Sequence, residues 1–263
     1  MLSILLSSSF ADHGIGDSSF GRYIVLWSTL FMATPEGEHL FDTYPLLRYY
    51  LGTDDAYGQD FALPLWQQQN ALLEANRCRL PKVRRFLGSA LHDSPVTEIA
   101  WTGDSLTIAV DEIQCIDFWS AIKELRKPRG QWPDFRASLV FHNVTHARLY
   151  LINRDGEIEL VDKNEWLTEI DEFLYDHVVE LSPAGIKVAL VFFANKRNRY
   201  LVLEIAAERL EIVENQRQLI ARRLGEDYLP VFDAFVERLE AGEYFGDADM
   251  IMNFIKPHLP SSA

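Results

Sequence analysis

From residue 91 onward the apolar residues of this chain fall at every second position, and short stretches of Gly, Asp and Asn separate the runs. That is the pattern of β-strands joined by tight turns. In "EIAWTGDSLTIAVDE", Leu106, Ile108 and Val110 alternate with Thr107, Ala109 and Asp111 behind a Thr102-Gly103-Asp104 turn. Ala137 to Phe141 and Ala147 to Ile152 read as strands, and "NRDG" turns the chain into Glu157 to Val161. "IKVALVFFA", "NKRN" and "RYLVLEIAA" form a further hairpin, with "RLEIVE" as a last strand. About eight strands linked in this way predict antiparallel pairing, because parallel neighbours need long crossovers.

On either side the period lengthens to three and four. "EHLFDTYPLLRYYLG" and "FALPLWQQQNALLEANRCRL" precede the strands, and Asn215 to Leu224 and Tyr228 to Glu240 follow them. The expected architecture is α+β: a mainly helical N-terminal region over 1–90, a central antiparallel β-sheet or sandwich over 91–214, and C-terminal helices over 215–263 packed on it. Two segments interrupt the strands. Residues 117–135, "DFWSAIKELRKPRGQWPDF", read as a long inserted loop. Residues 163–177, "KNEWLTEIDEFLYDH", have the spacing of an amphipathic helix laid across the sheet, with Trp166, Ile170, Phe173 and Leu174 inward.

With 263 residues, 48% of them hydrophobic, the chain can build a full core without staples. Its two cysteines, Cys78 and Cys115, form neither a disulfide framework nor a zinc motif, which fits a reducing compartment, and the cytoplasm is expected. The opening Met1 to Leu6 is too short an apolar run for an export signal. "YIVLWSTLFM" is well below the roughly 20 residues needed to span a bilayer, so no membrane association is expected. The net charge of −14 excludes a phosphate-neutralising nucleic-acid binder. That charge is concentrated: residues 93–263 hold 30 acids against 18 bases, and between Asp155 and Glu180 there are 10 acids against Lys163 alone. Such a face either solvates the fold or steers a basic partner.

Gly103-Asp104-Ser105-Leu106 resembles the block that carries the nucleophilic serine of a family of esterases. There the serine opens a helix, and an Asp-x-x-His block near the chain end supplies the base. Here Ser105 enters an alternating strand, and none of the seven histidines has an aspartate three residues before it. The four residues are therefore expected to be a hairpin turn, with no base for the serine. His142 and His146 have H-x-x-x-H spacing, but on a regular strand their side chains stand about 13 Å apart. A metal or small-ligand site assembled from His92, Asp93, His142 and His146 needs a bulge near Asn143 to bring them together. Dinucleotide, phosphate-loop, zincin and calcium-loop motifs are absent from the sequence, and no cofactor is expected. Of the six tryptophans, Trp119 and Trp132 flank the basic part of the 117–135 loop and are candidate interface anchors.

"FLGSALHDSPVTEIAWTGDSLTIAVDE", "RASLVFHNVTHARL" and "YLVLEIAAERLEI" together resemble a small bacterial β domain found among immunity proteins of polymorphic toxin systems and related families. The likeness covers roughly residues 91–214. It implies a protein that binds another protein and performs no catalysis. Independently of that likeness, the expected surface for a basic partner is either the acidic face, with Glu157, Glu159, Asp171 and Glu172, or the 117–135 loop with Trp119 and Trp132.

Overall fold

The computed structural model describes residues 35–52, 58–76, 80, 82–83, 86–87, 91–111, 136–153, 158–194, 199–241 and 253–258. The alternating half of the chain forms one antiparallel sheet of seven strands: β1 (Ser94–Thr102), β2 (Ser105–Asp111), β3 (Arg136–Ile152), β4 (Ile158–Val161), β5 (Glu172–Ser182), β6 (Gly185–Ala194) and β7 (Arg199–Glu214). Their order is β2-β1-β5-β6-β7-β3-β4, and β2 also pairs with β3. That extra pairing joins the two ends of the order, so six strands close into a ring and β4 hangs from the second half of β3. The ring's weakest seam is between β1 and β5, where only Ser94↔Phe173 and Pro95↔Glu172 are paired.

Period-two alternation places one set of side chains inside this ring. Leu106 and Ile108 of β2, Leu139 and Phe141 of β3, Leu190 of β6 and Leu203 of β7 are all fully buried in one core. The C-terminal helices α5 (Gln216–Leu224) and α6 (Leu229–Glu240) add Leu219, Ile220, Phe232 and Phe235 to that core. Of the N-terminal helices, α3 (Gln59–Ala75) adds Leu73 to the first core, while α1 (Pro35–Thr43) and α2 (Leu46–Tyr50) lie on the other side of the sheet. There Leu40, Phe41, Tyr44 and Leu47 pack on Tyr150, Val191 and Val202 in a second core. The α+β architecture expected from the sequence is thus the observed one. Among the described residues no helix is long and apolar enough to cross a membrane.

Three details differ from the expectation. The helix expected over 163–177 is confined to a 3-10 turn at Lys163–Glu165 and α4 at Trp166–Glu169, and from Glu172 the chain is strand β5. Trp166, Ile170 and Phe173 enter the ring core at helical spacing because a short helix runs straight into the strand, whereas Leu174, expected inward with them, packs on the opposite core. Secondly, 137–141 and 147–152 belong to one strand. Asn143 adopts a left-handed φ of 52°, and the β3–β7 register shifts between Val144 and His146, so the inward phase is lost and then restored while pairing continues. Thirdly, "RYLVLEIAA" and "RLEIVE" are both β7, whose inward phase changes between Ala207 and Leu210 opposite that irregularity. The 117–135 loop lies outside the described residues.

Candidate functional site

The sequence marked the acidic stretch first. Glu157, Trp119 and Trp132 lie outside the described residues. Glu159 sits on β4 opposite Leu151 and accepts a hydrogen bond from Asn153 Nδ2 at 3.0 Å. Glu172 begins β5 opposite Phe193, on the far side of β3, β7 and β6 from Glu159. Leu151 and Phe192 both face the inside of the ring, so Glu159 and Glu172 are directed to opposite faces of the sheet and do not share one surface. Asp171 adjoins Glu172 at the β1–β5 seam, where its carbonyl accepts from Val96 N at 2.8 Å. Partial burial, with Asp93 and Asp171 close by, raises the Glu172 carboxyl above the usual range, and His92 opposes that rise.

What the acidic stretch does build is a corner between β4 and α4. Trp166 is buried, and its Nε1 donates to Val161 O at 3.3 Å, which pins the short helix to the strand. Asp162 caps the turn by accepting from Asn164 N at 2.9 Å. Lys163, the one base of the stretch, lies with Nζ 4.3 Å from the centroid of the Trp101 ring. Leu160, 65% exposed, faces the opposite side of β4 from Glu159, and Leu167, 45% exposed, lies on α4; Glu159, Asp162 and Glu165 are exposed along the same segment.

The four residues weighed for a metal are dispersed into separate pairs. His92 Nδ1 lies 2.8 Å from Asp93 Oδ1 near the β1–β5 seam. His142 lies between Ser105 and Glu211, with Nδ1 3.4 Å from Ser105 Oγ and Nε2 3.2 Å from Glu211 Oε2. His146 Nε2 is 2.7 Å from Glu204 Oε2. The bulge that such a site requires is present at β3, yet each imidazole is taken by its own carboxylate. No group of three or more His, Cys, Asp or Glu suited to a metal occurs among the described residues.

Compared with family models, curated proteins and solved structures, the chain matches none.

Two polar constellations escaped the sequence reading. The first surrounds Glu204, which is 1% exposed beneath α1. Tyr44 OH donates to its Oε1 at 3.3 Å, His146 holds Oε2, and Lys187 Nζ and His39 Nε2 stand 3.9 and 3.8 Å from Oε1. Burial, reinforced by the Glu204 charge, raises the Tyr44 phenol far above its ordinary value, so it remains a donor. Beside Tyr44, with ring centroids 6.0 Å apart, is the buried His177, whose Nδ1 has no hydrogen-bond partner. Burial lowers this imidazole to about 4 and keeps it neutral, against a smaller opposing effect of a hydrogen bond to the Tyr44 backbone. The signal for this network was Glu204 itself, a charge in the middle of the otherwise apolar "YLVLEIAA".

The second is Ser105–His142–Glu211. The Gly103-Asp104 turn between β1 and β2 is the hairpin that the sequence predicts. The missing base is supplied from β3. Leu106, Phe141 and Leu210 are paired in one row and point inward, so Ser105, His142 and Glu211 beside them point outward. Asp104 O accepts from Val144 N at 2.8 Å and so fastens the turn to β3. Spacings of 37 and 69 residues gave the sequence no means of showing this.

Proposed function

We propose that the chain is an interaction protein of the cytoplasm, immunity-like in kind, which binds a basic protein through the β4–α4 corner. The observation that carries this reading is that the segment fixed by Trp166 exposes two leucines, Leu160 on β4 and Leu167 on α4, together with the acids Glu159, Asp162 and Glu165. In protein interfaces buried apolar side chains supply most of the affinity, and charges beside them set approach and choice of partner. The excess of acids over bases in the same half of the chain favours a basic partner.

The test co-expresses the chain with the products of its neighbouring genes and titrates any complex at low and high salt. A complex with a basic protein that weakens at high salt, and that is lost in Leu160→Ala/Leu167→Ala and in Glu159→Lys/Glu165→Lys, supports the corner. A complex that survives both double variants removes the corner as the interface. Absence of a complex with any basic neighbour counts against the reading as a whole.

A further inference from the structure

We propose that Ser105 is a nucleophile activated by His142 and oriented through Glu211, and that the outer face of β2, β3 and β7 carries a hydrolytic site for small carboxylic esters. This goes beyond the binding corner and does not depend on it. A serine hydroxyl becomes a useful nucleophile when a base lies within hydrogen-bond reach and a third group fixes that base. All three groups meet on three neighbouring strands. Ser105 Oγ is 3.4 Å from His142 Nδ1, a looseness common before substrate is bound, and His142 Nε2 is 3.2 Å from Glu211 Oε2. With its proton on Nε2, donated to the Glu211 carboxylate, the imidazole presents the lone pair of Nδ1 to the serine.

The surroundings suit a reacting centre better than a chance row of surface polar groups. The turn that carries Ser105 is tied to β3 through Asp104 O and Val144 N. The left-handed Asn143 next to His142 donates from Nδ2 to Glu208 and braces the strand just beyond the base. Arg209, directly opposite His142 in the β3–β7 register, brings Nη2 to 3.7 Å from Glu211 Oε2, the oxygen that also holds His142, and so helps to fix the orienting carboxylate.

The chemistry balances without a cofactor. Ser105 Oγ bonds to the ester carbonyl carbon as its proton passes to His142 Nδ1. The bond from carbon to the alcohol oxygen then breaks, and the leaving alcohol takes that proton. Water attacks the acyl-serine, gives a proton to the same nitrogen and releases the acid, restoring Ser105. Ser105 is the catalytic nucleophile, His142 the catalytic base, and Glu211 a positioning residue.

The experiment treats the full chain with a fluorophosphonate probe, locates any adduct by intact mass and peptide mapping, and follows p-nitrophenyl acetate hydrolysis in parallel. The proposal expects one adduct on Ser105. Ser105→Ala, a small change beside a turn, abolishes both label and turnover, and His142→Ala lowers the rate by about 100-fold or more. Glu211→Gln leaves KM near its original value, lowers kcat and moves the pH profile. His142→Gln serves as a second base variant if His142→Ala does not fold. No adduct, an adduct elsewhere, or turnover retained in Ser105→Ala overturns the proposal.

Discussion

His146 Nε2 stands 2.7 Å from Oε2 of Glu204, a carboxylate that β7 holds almost wholly out of water beneath the N-terminal helix α1. A buried carboxylate is tolerated only while its partners remain, because removing one leaves desolvated charge uncompensated. His146→Ala is therefore expected to lower unfolding free energy by roughly 1 to 3 kcal/mol, the cost of an unsatisfied buried group. Glu204→Gln, which keeps the shape and still accepts from Tyr44, is expected to cost less than Glu204→Ala. Urea unfolding of the three variants checks the order, and a His146→Ala protein as stable as the original would show that Tyr44 and Lys187 suffice.

Acid acts on the same region through His177. Its folded-state value of about 4 lies below the ordinary imidazole value of 6.5, so above pH 6.5 the group is neutral in both states and costs nothing. As pH falls through 6.5 toward 4 the unfolded chain gains a proton that the folded one refuses, and stability drops. The loss from this residue amounts to roughly 3 kcal/mol at the low end of that window. His177→Phe is expected to flatten the pH dependence of the urea midpoint between pH 6.5 and 4 relative to the original protein. Identical slopes in the two would discharge His177 from that role.

At Gly185 the constraint is space. A Cβ built there meets Ala207 O at 2.8 Å, a backbone atom of the paired strand that cannot swing aside. Gly185→Ala is expected to destabilise the β6–β7 pairing by about 1 to 3 kcal/mol, as overpacking does. Thermal unfolding of that variant measures it, and a midpoint within a degree of the original would mean the strands separate easily at that point.

Asn143 is constrained by its backbone. At φ 52° it occupies the left-handed region that asparagine and glycine tolerate and branched residues resist. Asn143→Val is expected to be less stable than Asn143→Gly by about 1 to 2 kcal/mol. Both variants lose the contact with Glu208, so their difference isolates the backbone. Equal stability of the two would mean that β3 relaxes its irregularity.

The strands that were legible in the sequence are those with unbroken alternation. Leu106, Ile108 and Val110 predict β2, and the apolar run of Ile186 to Ala194 predicts β6. β5 was not legible, because a short helix runs straight into it and Trp166, Ile170 and Phe173 enter the core at helical spacing. β3 read as two strands, since Asn143 and the shift before His146 hide the continuity that β7 enforces from Ala137 to Ile152. Closure of the ring has no sequence signature, as it depends on which edge of β3 meets β2. The same holds for Ser105, His142 and Glu211, which only cross-strand register brings together.

The ring also has a consequence in time. The β1–β2, β5–β6 and β6–β7 hairpins join neighbours in sequence, but β3 must find β7, and β1 must find β5, across most of the central domain. Local pairings form early and distant ones wait on loop closure. The six strands are thus expected to assemble as separate hairpins first and to seal last at the two-residue seam between β1 and β5. Until that moment the edges of β1 and β5 lie open to other copies of the chain, so the interval before sealing is when a concentrated, newly made protein is most prone to aggregate.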